Sequence, residues 1–408
     1  MKCRHCGTPL NQVFVDLATA PPSNAYLNER ELATPEKHFP LRTYVCNACW
    51  LVQTEDFADA DDLFANDYAY FSSYSKTWLE HAATYVDEMA HRFALNDTSM
   101  VAEIASNDGY LLQYVKEHNI PCYGVEPTAS TAAVAREKGI NVVEDFFGET
   151  LSKALMAQGR GADLIAANNV LAHVPDINDF VKGMARLLKP NGVATFEFPH
   201  LLNLVEFAQF DTVYHEHYSY LSLTAVETIF SVAGLSVFDV SKLSTHGGSL
   251  RIFAQRTDTG THPVTDNVQT LRREEVDAGV CELSYYQAFQ ARANNLKDAF
   301  LQYLLDAKRQ GLTVAGYGAA AKGNTLINYA GVRGDLLEFV ADRNPNKQGK
   351  YLPGSRIPIV NEAVLRERRP DRIAILPWNL AEEIAGQLSY AREWGAHFVR
   401  FVPNLEEF

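Results

Sequence analysis

From Met100 onward, short apolar runs alternate with amphipathic stretches along the chain. The runs "MVAEIAS", "CYGVEP", "DLIAANNVLAHV" and "GVATFEFP" predict buried strands, and the segments "YLLQYVKEH", "TAAVAREKG" and "NDFVKGMARLLKPNG" predict helices between them. Strands that alternate with helices at this spacing form a parallel sheet covered on both faces. The middle of the chain is therefore predicted to be an α/β domain.

A second α/β unit is predicted from Leu312 to the end of the chain. The segment "LTVAGYGAAAKGNTLINYAG" has the pattern of a strand, a tight turn and a helix, and "LEFVAD" and "RIAILPW" predict further strands. Residues 267–310, between the two units, are rich in charge and predict helices that bridge them.

The composition changes this picture little but excludes several classes of protein. A chain of 408 residues is expected to form two or three domains, and 47% hydrophobic with 21% charged residues is typical of a globular protein. We find neither an apolar run of roughly 20 residues nor the apolar core of a signal peptide, so we expect no membrane span and a cytoplasmic location. The net charge of -14 argues against nucleic acid as a partner.

Four of the six cysteines form two Cys-x-x-Cys pairs, Cys3 with Cys6 and Cys46 with Cys49. In a cytosolic chain this spacing indicates zinc more than disulfides. Four thiolates close a tetrahedral shell with no open position, which is typical of structural zinc. The gap between the pairs exceeds that of most zinc ribbons and leaves room for an inserted hairpin. Two unrelated pairs of small buried residues are the alternative.

These features together predict five regions. They are a zinc-binding module at 1–56, a helical and aromatic connecting arm at 57–98, an α/β domain at 99–258, a helical linker at 259–310 and a smaller α/β domain at 311–408.

The turn after the first predicted strand of the middle domain has the features of a cofactor site. "EIASNDGYLL" places Glu103 on a strand, followed by a turn with Gly109 and a helix, and ligands of open α/β sheets bind beside such turns. The Gly-x-Gly-x-x-Gly pattern is absent, which suits a cofactor without a diphosphate. Glu126 ends the next strand, where it can accept hydrogen bonds from two ribose hydroxyls, and Asp145 follows near an expected adenine edge. The set indicates S-adenosylmethionine; each acidic residue alone would be a helix cap or a surface charge. The expected cofactor contacts are Glu103, Ala105, Asn107, Gly109, Glu126, Pro127, Asp145, Phe146, Asn168 and Asn169.

The second turn, "GYGAAAKGNT", is a candidate phosphate site. Gly316 and Gly318 allow close backbone approach, the following helix favours an anion at its N-terminus, and Lys322 adds a positive charge. The spacing does not match a Walker sequence, and a tight turn without a ligand is the alternative. A nicotinamide cofactor is a further alternative, for which Asp342 is the candidate ribose ligand.

The stretch "DTVYHEHYSYLS" at 211–222 contains two histidines around a glutamate. It lacks the His-Glu-x-x-His spacing of zinc proteases, and the surrounding pattern is α/β rather than the antiparallel barrel of a cupin. A catalytic metal is therefore disfavoured here. His215 and His217 need not share a face, and we expect His215 to point elsewhere.

With these motifs in this order, the chain resembles the nucleotide-sugar C-methyltransferases that act on deoxysugars in bacterial antibiotic and surface-glycan pathways. The resemblance covers nearly the whole chain and rests on the four-cysteine module and on "YAYFSSYS", "EIASNDGYLL", "GVEP", "NNVLAHVPD", "YHEHYSYLS", "HGGSLR", "GYGAAAKG" and "KQGKYLPGSRIPI". It implies a class I, Rossmann-like methyltransferase domain with an N-terminal zinc module and a C-terminal Rossmann-like domain that helps to hold a sugar nucleotide. It also implies that a methyl group is added to carbon 3 of a 4-keto sugar linked to thymidine diphosphate or another nucleoside diphosphate, such as guanosine diphosphate.

The resemblance also implies roles for individual residues. His217 is the expected base that removes the proton next to the ketone, Glu216 orients the base or a sugar hydroxyl, and Tyr214 contacts the substrate or its enolate. His173 is expected beside the cofactor sulfur, with a helix cap or packing on adenosine as the alternative, and Tyr68 is expected to reach into the site. The expected substrate contacts are Tyr70, Ser72, His246, Arg251, Tyr317, Lys322, Asp342 and Lys347; for Arg251 a surface position in a hairpin is the alternative.

Three other functions remain open from the residues. An O- or N-methyltransferase would share the cofactor half but would not need to exchange the proton next to a ketone. An oxidoreductase would use the C-terminal turn for a nicotinamide nucleotide, and a binding scaffold would use the zinc module for protein contacts. A monomer or a small homo-oligomer is compatible with the sequence.

Overall fold

The computed structural model describes residues 1–57 and 71–408, and its strands and helices are numbered here in chain order. The strands are β1 (Gln12–Ala20), β2 (Phe39–Val45), β3 (Val52–Thr54), β4 (Val101–Ile104), β5 (Cys122–Val125), β6 (Val142–Val143), β7 (Ala162–Asn168), β8 (Leu188–Pro199), β9 (Ser219–Tyr220), β10 (Leu235–Leu243), β11 (Ser249–Arg256), β12 (Val314–Tyr317), β13 (Val340–Ala341), β14 (Ile359–Val360), β15 (Arg372–Ile375), β16 (His397–Arg400) and β17 (Glu406–Glu407). The α-helices are α1 (Lys76–Arg92), α2 (Leu112–Glu117), α3 (Ala129–Glu137), α4 (Glu149–Ala157), α5 (Ile177–Leu187), α6 (Leu201–Glu206), α7 (Leu223–Ala233), α8 (Asp266–Ala278), α9 (Leu283–Gln287), α10 (Phe289–Arg309), α11 (Ala321–Tyr329), α12 (Ala363–Arg368) and α13 (Ala381–Gln387).

The first sheet has four strands in the order β1-β2-β3-β9. Strands β1 and β2 form an antiparallel hairpin between the two cysteine pairs, with Gln12 opposite Val45 and Ala20 opposite Phe39. The fourth strand, β9, comes from the distant "YHEHYSY" stretch and pairs antiparallel with β3. The N-terminal sheet is thus completed by residues of the candidate catalytic segment.

The second sheet has seven strands in the order β10-β11-β8-β7-β4-β5-β6. Strand β11 runs antiparallel to its neighbours β8 and β10, while the pairs β4–β5, β4–β7, β5–β6 and β7–β8 are parallel. Alternate residues of β4 enter different cores, because successive side chains of a strand point to opposite faces. Ala102 and Ile104 pack with α5 and α7, whereas Val101 packs with α1 and α2. This arrangement confirms the predicted sheet with helices on both faces.

The third sheet has six strands in the order β14-β13-β12-β15-β16-β17, with β17 alone antiparallel to its neighbour. Its first turn is the "GYGAAAK" segment between β12 and α11. Gly318 lies in the left-handed region with φ 85°, and a Cβ there would lie 2.6 Å from Pro377 Cδ, so this turn requires glycine.

Helices α8 to α10 connect the second and third sheets and also contact the first. Phe14 of β1 stacks on Phe289 of α10 with a centroid distance of 4.3 Å, and it meets Tyr286 of α9 edge-on. One core joins Phe14 with Phe300 of α10 and Ile327 of α11. The N-terminal sheet and the C-terminal unit therefore share buried apolar surface.

One predicted boundary is wrong. The helix predicted through "KPNG" ends at Leu187, and strand β8 begins at Leu188. The helix begins where expected for a capped end, because the side chain of Asp176 accepts a hydrogen bond from the Asp179 amide. Within residues 1–57 and 71–408, we find no helix that is both long and apolar enough to span a bilayer.

Candidate active site

The segment at 209–222 lies where the three sheets meet. Its strand β9 belongs to the N-terminal sheet, and Asp211 at its start accepts a hydrogen bond of 2.7 Å from Trp378 Nε1 of the C-terminal unit. Thr325 of α11 donates to the Val213 carbonyl at 3.0 Å. Each of these contacts joins residues that are far apart in sequence, so the conformation of this segment depends on all three units.

His217 is buried, and both of its ring nitrogens are hydrogen-bonded. Nδ1 lies 2.8 Å from the Thr212 carbonyl, which can only accept, so Nδ1 carries the hydrogen and Nε2 has the lone pair. The Tyr214 hydroxyl, 2.7 Å from Nε2, therefore donates to it. Burial lowers the pKa of His217 well below its usual value, and repulsion from His173 adds to the effect. The imidazole is thus a neutral proton acceptor at cellular pH.

His173 lies against His217 on a short 3-10 turn, Leu171–His173, that follows β7. The two ring centroids are 4.6 Å apart, and burial lowers the pKa of His173 to about 4. His246 is held by a neighbour of His173 in the chain, since Asn169 Nδ2 donates to His246 Nε2 at 3.2 Å. The structure thus brings three of the predicted histidines, His173, His217 and His246, to the carboxyl ends of β7 and β8 and to the turn before β11.

Glu216 is 1% exposed and receives a hydrogen bond of 2.6 Å from Asn24 Nδ2 at its Oε2 atom. Within the described residues, its Oε1 atom has no hydrogen-bond partner. Burial raises the pKa of Glu216 to about 7, although the bond from Asn24 opposes this. A buried carboxyl group of this kind can accept a hydrogen bond from a bound hydroxyl group.

His215 points away from this cluster. Its Nε2 atom lies 3.2 Å from the Pro40 carbonyl, and its ring meets Phe39 edge-on. The side chain belongs to the packing of strand β2 and not to the site.

The predicted cofactor edge of the second sheet is lined by three buried carboxyl groups. Glu103, Asp108 and Glu126 are 1%, 2% and 5% exposed. Burial raises the pKa of Glu103 well above its usual value, and the charges of Asp108 and Glu126 raise it further. S-adenosylmethionine carries a sulfonium and an ammonium group, and a cation beside these carboxyl groups would favour their charged forms, so the edge fits the cofactor.

The backbone of the turn fixes Glu126 in place. The Asn107 amide donates to its Oε2 and the Thr128 amide to its Oε1, both at 2.9 Å. Asn107 in turn accepts a hydrogen bond from the Ser72 amide, so Ser72 packs on the cofactor turn. Gly109 has φ 76°, in the left-handed region, and a Cβ there would lie 2.4 Å from Ile140 Cδ1 and 3.3 Å from Ala135 Cβ, so glycine is favoured where this turn packs against α3.

The remaining predicted cofactor residues border the same edge. Asn168 is buried at the end of β7, and Ala105, Pro127 and Asn169 are partly buried, whereas Asp145 is exposed and Phe146 is 52% exposed. Phe146 therefore presents an accessible aromatic ring beside the edge.

Lys322 at the start of α11 lies near the candidate catalytic segment. Its Nζ donates to Asn379 Oδ1 at 3.0 Å and lies 4.5 Å from the centroid of the Trp378 ring. Burial lowers the pKa of Lys322 to about 8, with Asp211 opposing the shift. Its charge is thus placed between the C-terminal turn and the segment that bears His217.

The other predicted substrate residues of the C-terminal unit stabilise the same turn. Asp342 Oδ2 accepts from the Ala319 amide at 2.7 Å, and Lys347 Nζ donates to the Ala319 carbonyl at 2.8 Å. The Tyr317 hydroxyl donates to Glu362 at 2.7 Å. Asp342 and Lys347 therefore hold the backbone of the turn, whereas Tyr317 is bonded to another side chain.

Arg251 is 4% exposed on β11 and is held by two carboxylates. Its Nε donates to Glu197 Oε1 at 2.7 Å and its Nη1 to Glu88 Oε2 at 2.8 Å. The alternative of a surface position is therefore wrong, and a substrate contact of Arg251 stays a prediction. The guanidinium lies against the methyltransferase sheet, where Glu197 also bonds to His81 of α1 at 2.8 Å.

The four predicted zinc ligands come together. The sulfur atoms of Cys3, Cys6, Cys46 and Cys49 all lie within 4.8 Å of one another. A cluster of four thiols with this spacing fits a tetrahedral metal shell.

Two predicted residues, Tyr68 and Tyr70, lie outside the described residues. Sequence reasoning in turn missed Asn24, Asp211 and Trp378, which contact the catalytic segment or belong to it. Asn24 and Trp378 carry no local signal, because their partners lie far along the chain, but the position of Asp211 beside the "YHEHYSY" stretch could have marked it.

Comparisons with known proteins match the whole of this architecture. Family profiles described as a putative zinc binding domain, a methyltransferase domain and a C-methyltransferase C-terminal domain match residues 3–64, 78–240 and 244–403. C-methyltransferase NovU of Streptomyces niveus is 33% identical over 403 residues, which are 99% of this chain and 96% of the relative. A ubiquinone biosynthesis O-methyltransferase of Chelativorans sp. (strain BNC1) is 31% identical over 97 residues, 23% of this chain and 37% of the relative.

Among solved structures, 1,6-didemethyltoxoflavin-N1-methyltransferase of Burkholderia thailandensis is 15% identical with a TM-score of 0.38, over 51% of this chain and 96% of that chain. The full-length match to the Streptomyces relative is the stronger finding. This chain therefore belongs to the family of S-adenosylmethionine-dependent C-methyltransferases with an N-terminal zinc-binding domain.

Proposed function

We propose that this enzyme methylates carbon 3 of a 4-keto-deoxysugar linked to thymidine diphosphate or guanosine diphosphate, through an enolate formed by His217. The observation that carries the proposal is the buried pair of Tyr214 and His217, whose hydroxyl oxygen and Nε2 atom are 2.7 Å apart. S-adenosylmethionine, held at the acidic edge by residues such as Glu103 and Glu126, supplies an electrophilic methyl group when it is bound.

Removal of a proton from carbon requires a base that is free of protons at cellular pH. The Thr212 carbonyl fixes the tautomer of His217, so Nε2 is the accepting atom. Burial and His173 keep the imidazole neutral in the free protein. When the imidazole takes the proton, its Nδ1 hydrogen remains bonded to Thr212, so the ring keeps its orientation.

The enolate oxygen needs a hydrogen-bond donor close to the base. Carbon 3 and the oxygen on carbon 4 are separated by two bonds, or roughly 2.4 Å from standard bond lengths. A base on the carbon-bound hydrogen and a donor on that oxygen must therefore be close neighbours. The Tyr214 hydroxyl and His217 Nε2 meet this requirement, so we assign Tyr214 to the enolate oxygen and His217 to the proton.

Glu216 is assigned to a hydroxyl group of the sugar. Its Oε1 atom is buried without a hydrogen bond from the described residues, while Asn24 holds Oε2. A buried acceptor without a partner is costly, and a sugar hydroxyl that donates to it would restore the missing bond. A sugar ring held in this way is already oriented for proton removal, so less entropy is lost in the reaction step.

The nucleoside diphosphate is assigned to the turn between β12 and α11. The N-terminus of α11 favours an anion, and Lys322 and Lys347 place positive charge on either side of the Gly318–Ala320 turn. The overall resemblance to nucleotide-sugar C-methyltransferases supports this assignment.

The test is to incubate the protein with each 4-keto sugar nucleotide in deuterium oxide without cofactor. We expect deuterium at carbon 3 by NMR, and transfer of one methyl group to the same carbon when S-adenosylmethionine is added. The His217→Gln variant should lose both reactions by about 10²- to 10⁴-fold, since glutamine cannot act as the base, while S-adenosylhomocysteine binding stays unchanged by calorimetry.

His215→Gln is the matched control, because His215 is an equally buried neighbour that bonds to the Pro40 carbonyl. It should retain both reactions. Methyl transfer to oxygen or nitrogen, no deuterium exchange with any of the keto sugars, or full activity of the His217→Gln variant would each refute the proposal.

A further inference from the structure

The zinc module contacts the backbone of the proposed base directly. Thr54, the last residue of β3, is 1% exposed, and its Oγ1 donates to the His217 carbonyl at 2.7 Å. Its amide donates to the Tyr218 carbonyl at 3.2 Å. These two bonds extend the pairing of β3 with β9 to the residue that carries the catalytic imidazole.

Arg4, between two of the cysteine ligands, joins the same region to the turn after His173. Its Nη2 donates to the Thr54 carbonyl and its Nη1 to the Pro175 carbonyl, each at 2.8 Å. The guanidinium also lies 5.1 Å from the centroid of the Tyr218 ring. One buried side chain thus touches both backbone segments that bear the neighbouring histidines.

Gln53 connects these contacts to the metal ligands. Its Oε1 accepts from the Arg4 amide at 2.8 Å, and its Nε2 donates to Cys3 Sγ at 3.2 Å. Zinc would hold the Cys3–Cys6 loop. Because Arg4 lies within this loop, the loop conformation sets the position of the Arg4 backbone and hence the reach of its side chain.

We propose that Thr54 and Arg4 are positioning residues for the reaction: they hold the backbone at His217 and the turn after His173, so that the zinc module forms part of the catalytic geometry. This inference rests on the proposed role of His217. The ring of His217 is held by Thr212 and Tyr214, and its backbone carbonyl is held by Thr54. Loss of the bond from Thr54 leaves the base present but less well aligned.

The experiment compares Thr54→Val, which removes the hydroxyl and keeps the shape, with Thr54→Ser, which restores it. Thr43→Val is the matched control, because Thr43 pairs with Thr54 across the sheet and its buried hydroxyl bonds to Val15 instead. Each variant is assayed for methyl transfer to a thymidine-diphosphate 4-keto-deoxysugar, for deuterium exchange at carbon 3, for zinc content and for backbone hydrogen exchange in the peptide 213–222.

We expect Thr54→Val to lower kcat and the deuterium exchange rate by about 5- to 20-fold, with KM for the sugar nucleotide changed less than about twofold. Hydrogen exchange of the peptide 213–222 should become faster while the zinc content stays constant. Thr54→Ser should recover most of the rate, and Thr43→Val should match the wild type. Arg4→Gln should lower kcat in the same way with zinc retained.

The inference is overturned if Thr54→Val reacts like the wild type, if Thr54→Ser fails to rescue it, or if Thr43→Val has the same effect. It is also overturned if Thr54→Val loses zinc, since Thr54 would then act on the stability of the module alone. Activity of the His217→Gln variant refutes the proposed function itself. An inactive His217→Gln with a fully active Thr54→Val refutes only the positioning role.

Discussion

Replacement of Trp378 by phenylalanine is expected to destabilise the protein more at pH 8 than at pH 5. Trp378 Nε1 donates at 2.7 Å to Asp211 Oδ2, and the Asp211 side chain is 0% exposed. Phenylalanine keeps an aromatic ring near Gly247 but removes the donor. A hydrogen bond to a buried carboxylate contributes about 2 kcal/mol to the free energy of unfolding, which sets the size of the effect.

The pH dependence follows from the pKa of Asp211. Burial raises this pKa to about 6, and Lys322 and the Trp378 indole oppose the rise. Since the indole favours the charged carboxylate, its removal raises the pKa further. At pH 5 Asp211 is protonated in both folded proteins, so the variant loses only packing and a neutral hydrogen bond. Above pH 6 the wild type gains a stabilised carboxylate that the variant lacks, and the difference in stability widens.

The measurement is the thermal unfolding midpoint of both proteins at pH 5 and pH 8. About 2 kcal/mol corresponds to roughly 4–8 °C for a cooperative unit of 150–250 residues, so the extra loss at pH 8 is well resolved. Trp394→Phe is the control, because Trp394 Nε1 donates to the neutral Pro370 carbonyl and its loss should not depend on pH. In an Asp211→Asn background, the effect of Trp378→Phe should also become independent of pH. Equal losses at both pH values for Trp378→Phe would refute the reasoning.

Three further predictions concern other parts of the chain. Glu275 accepts hydrogen bonds from the first amides of α7, and although burial opposes it, hydrogen bonding to His200 and Thr224 lowers its pKa. Glu275→Ala should cost about 3 kcal/mol of unfolding free energy above pH 5, and this difference should shrink as pH falls through the folded pKa. A melting-temperature difference that does not change with pH would contradict this prediction. Glu126→Ala should weaken S-adenosylhomocysteine binding by about 10- to 100-fold in calorimetry, while the control Glu144→Ala, at an exposed glutamate, should not. Equal affinities of Glu126→Ala and the wild type would show that Glu126 does not contact the cofactor. Cys46→Ser should reduce the metal content from about one zinc per chain and lower the melting temperature. The control Cys281→Ser, at an exposed cysteine, should retain the metal. Zinc retained in Cys46→Ser would argue against the four-cysteine shell.

The parallel core of the fold could be predicted because its signals are local. The apolar run around Val101–Ile104 is followed at once by a small-residue turn and a helix, and the same pattern returns at Val314–Tyr317. Each unit combines a buried strand with a helix that begins within a few residues, so a short window of sequence contains the whole signal. Each cysteine pair is a local signal in the same sense. That the two pairs converge could be expected because one zinc ion needs four ligands.

Strand β9 could not be predicted, because its pairing partner is remote. Strand β9 has only the residues Ser219–Tyr220, and it becomes a strand by pairing with β3, far upstream in the chain. The end of helix α5 was also misplaced: Leu188 continues the apolar pattern of the helix but begins β8. In both cases tertiary contacts outweigh the local pattern.

The candidate site shows the same division between local and remote signals. The residue types at Tyr214, Glu216 and His217 could be assigned from one stretch, since they belong to a single motif. Their orientation could not, because Asn24 and Trp378 come from the two ends of the chain. Lys322 illustrates the difference: the sequence places it at a candidate phosphate-binding turn, and the structure also places it beside Asp211 and Trp378.

This division has a physical reason in the chemistry of the site. A base for a carbon-bound proton must be neutral, buried and held at a fixed distance from a donor for the enolate oxygen. One stretch of sequence can supply the imidazole of His217 and the hydroxyl of Tyr214, but a stretch without regular structure cannot hold them in a dry interior by itself. Burial comes instead from the three surrounding units, through Thr54, Thr325 and the other contacts to the segment. A change at these contacts should therefore act on the alignment of His217 before it acts on cofactor binding, because Glu126, which we assign to the cofactor, is held by the backbone of a separate turn.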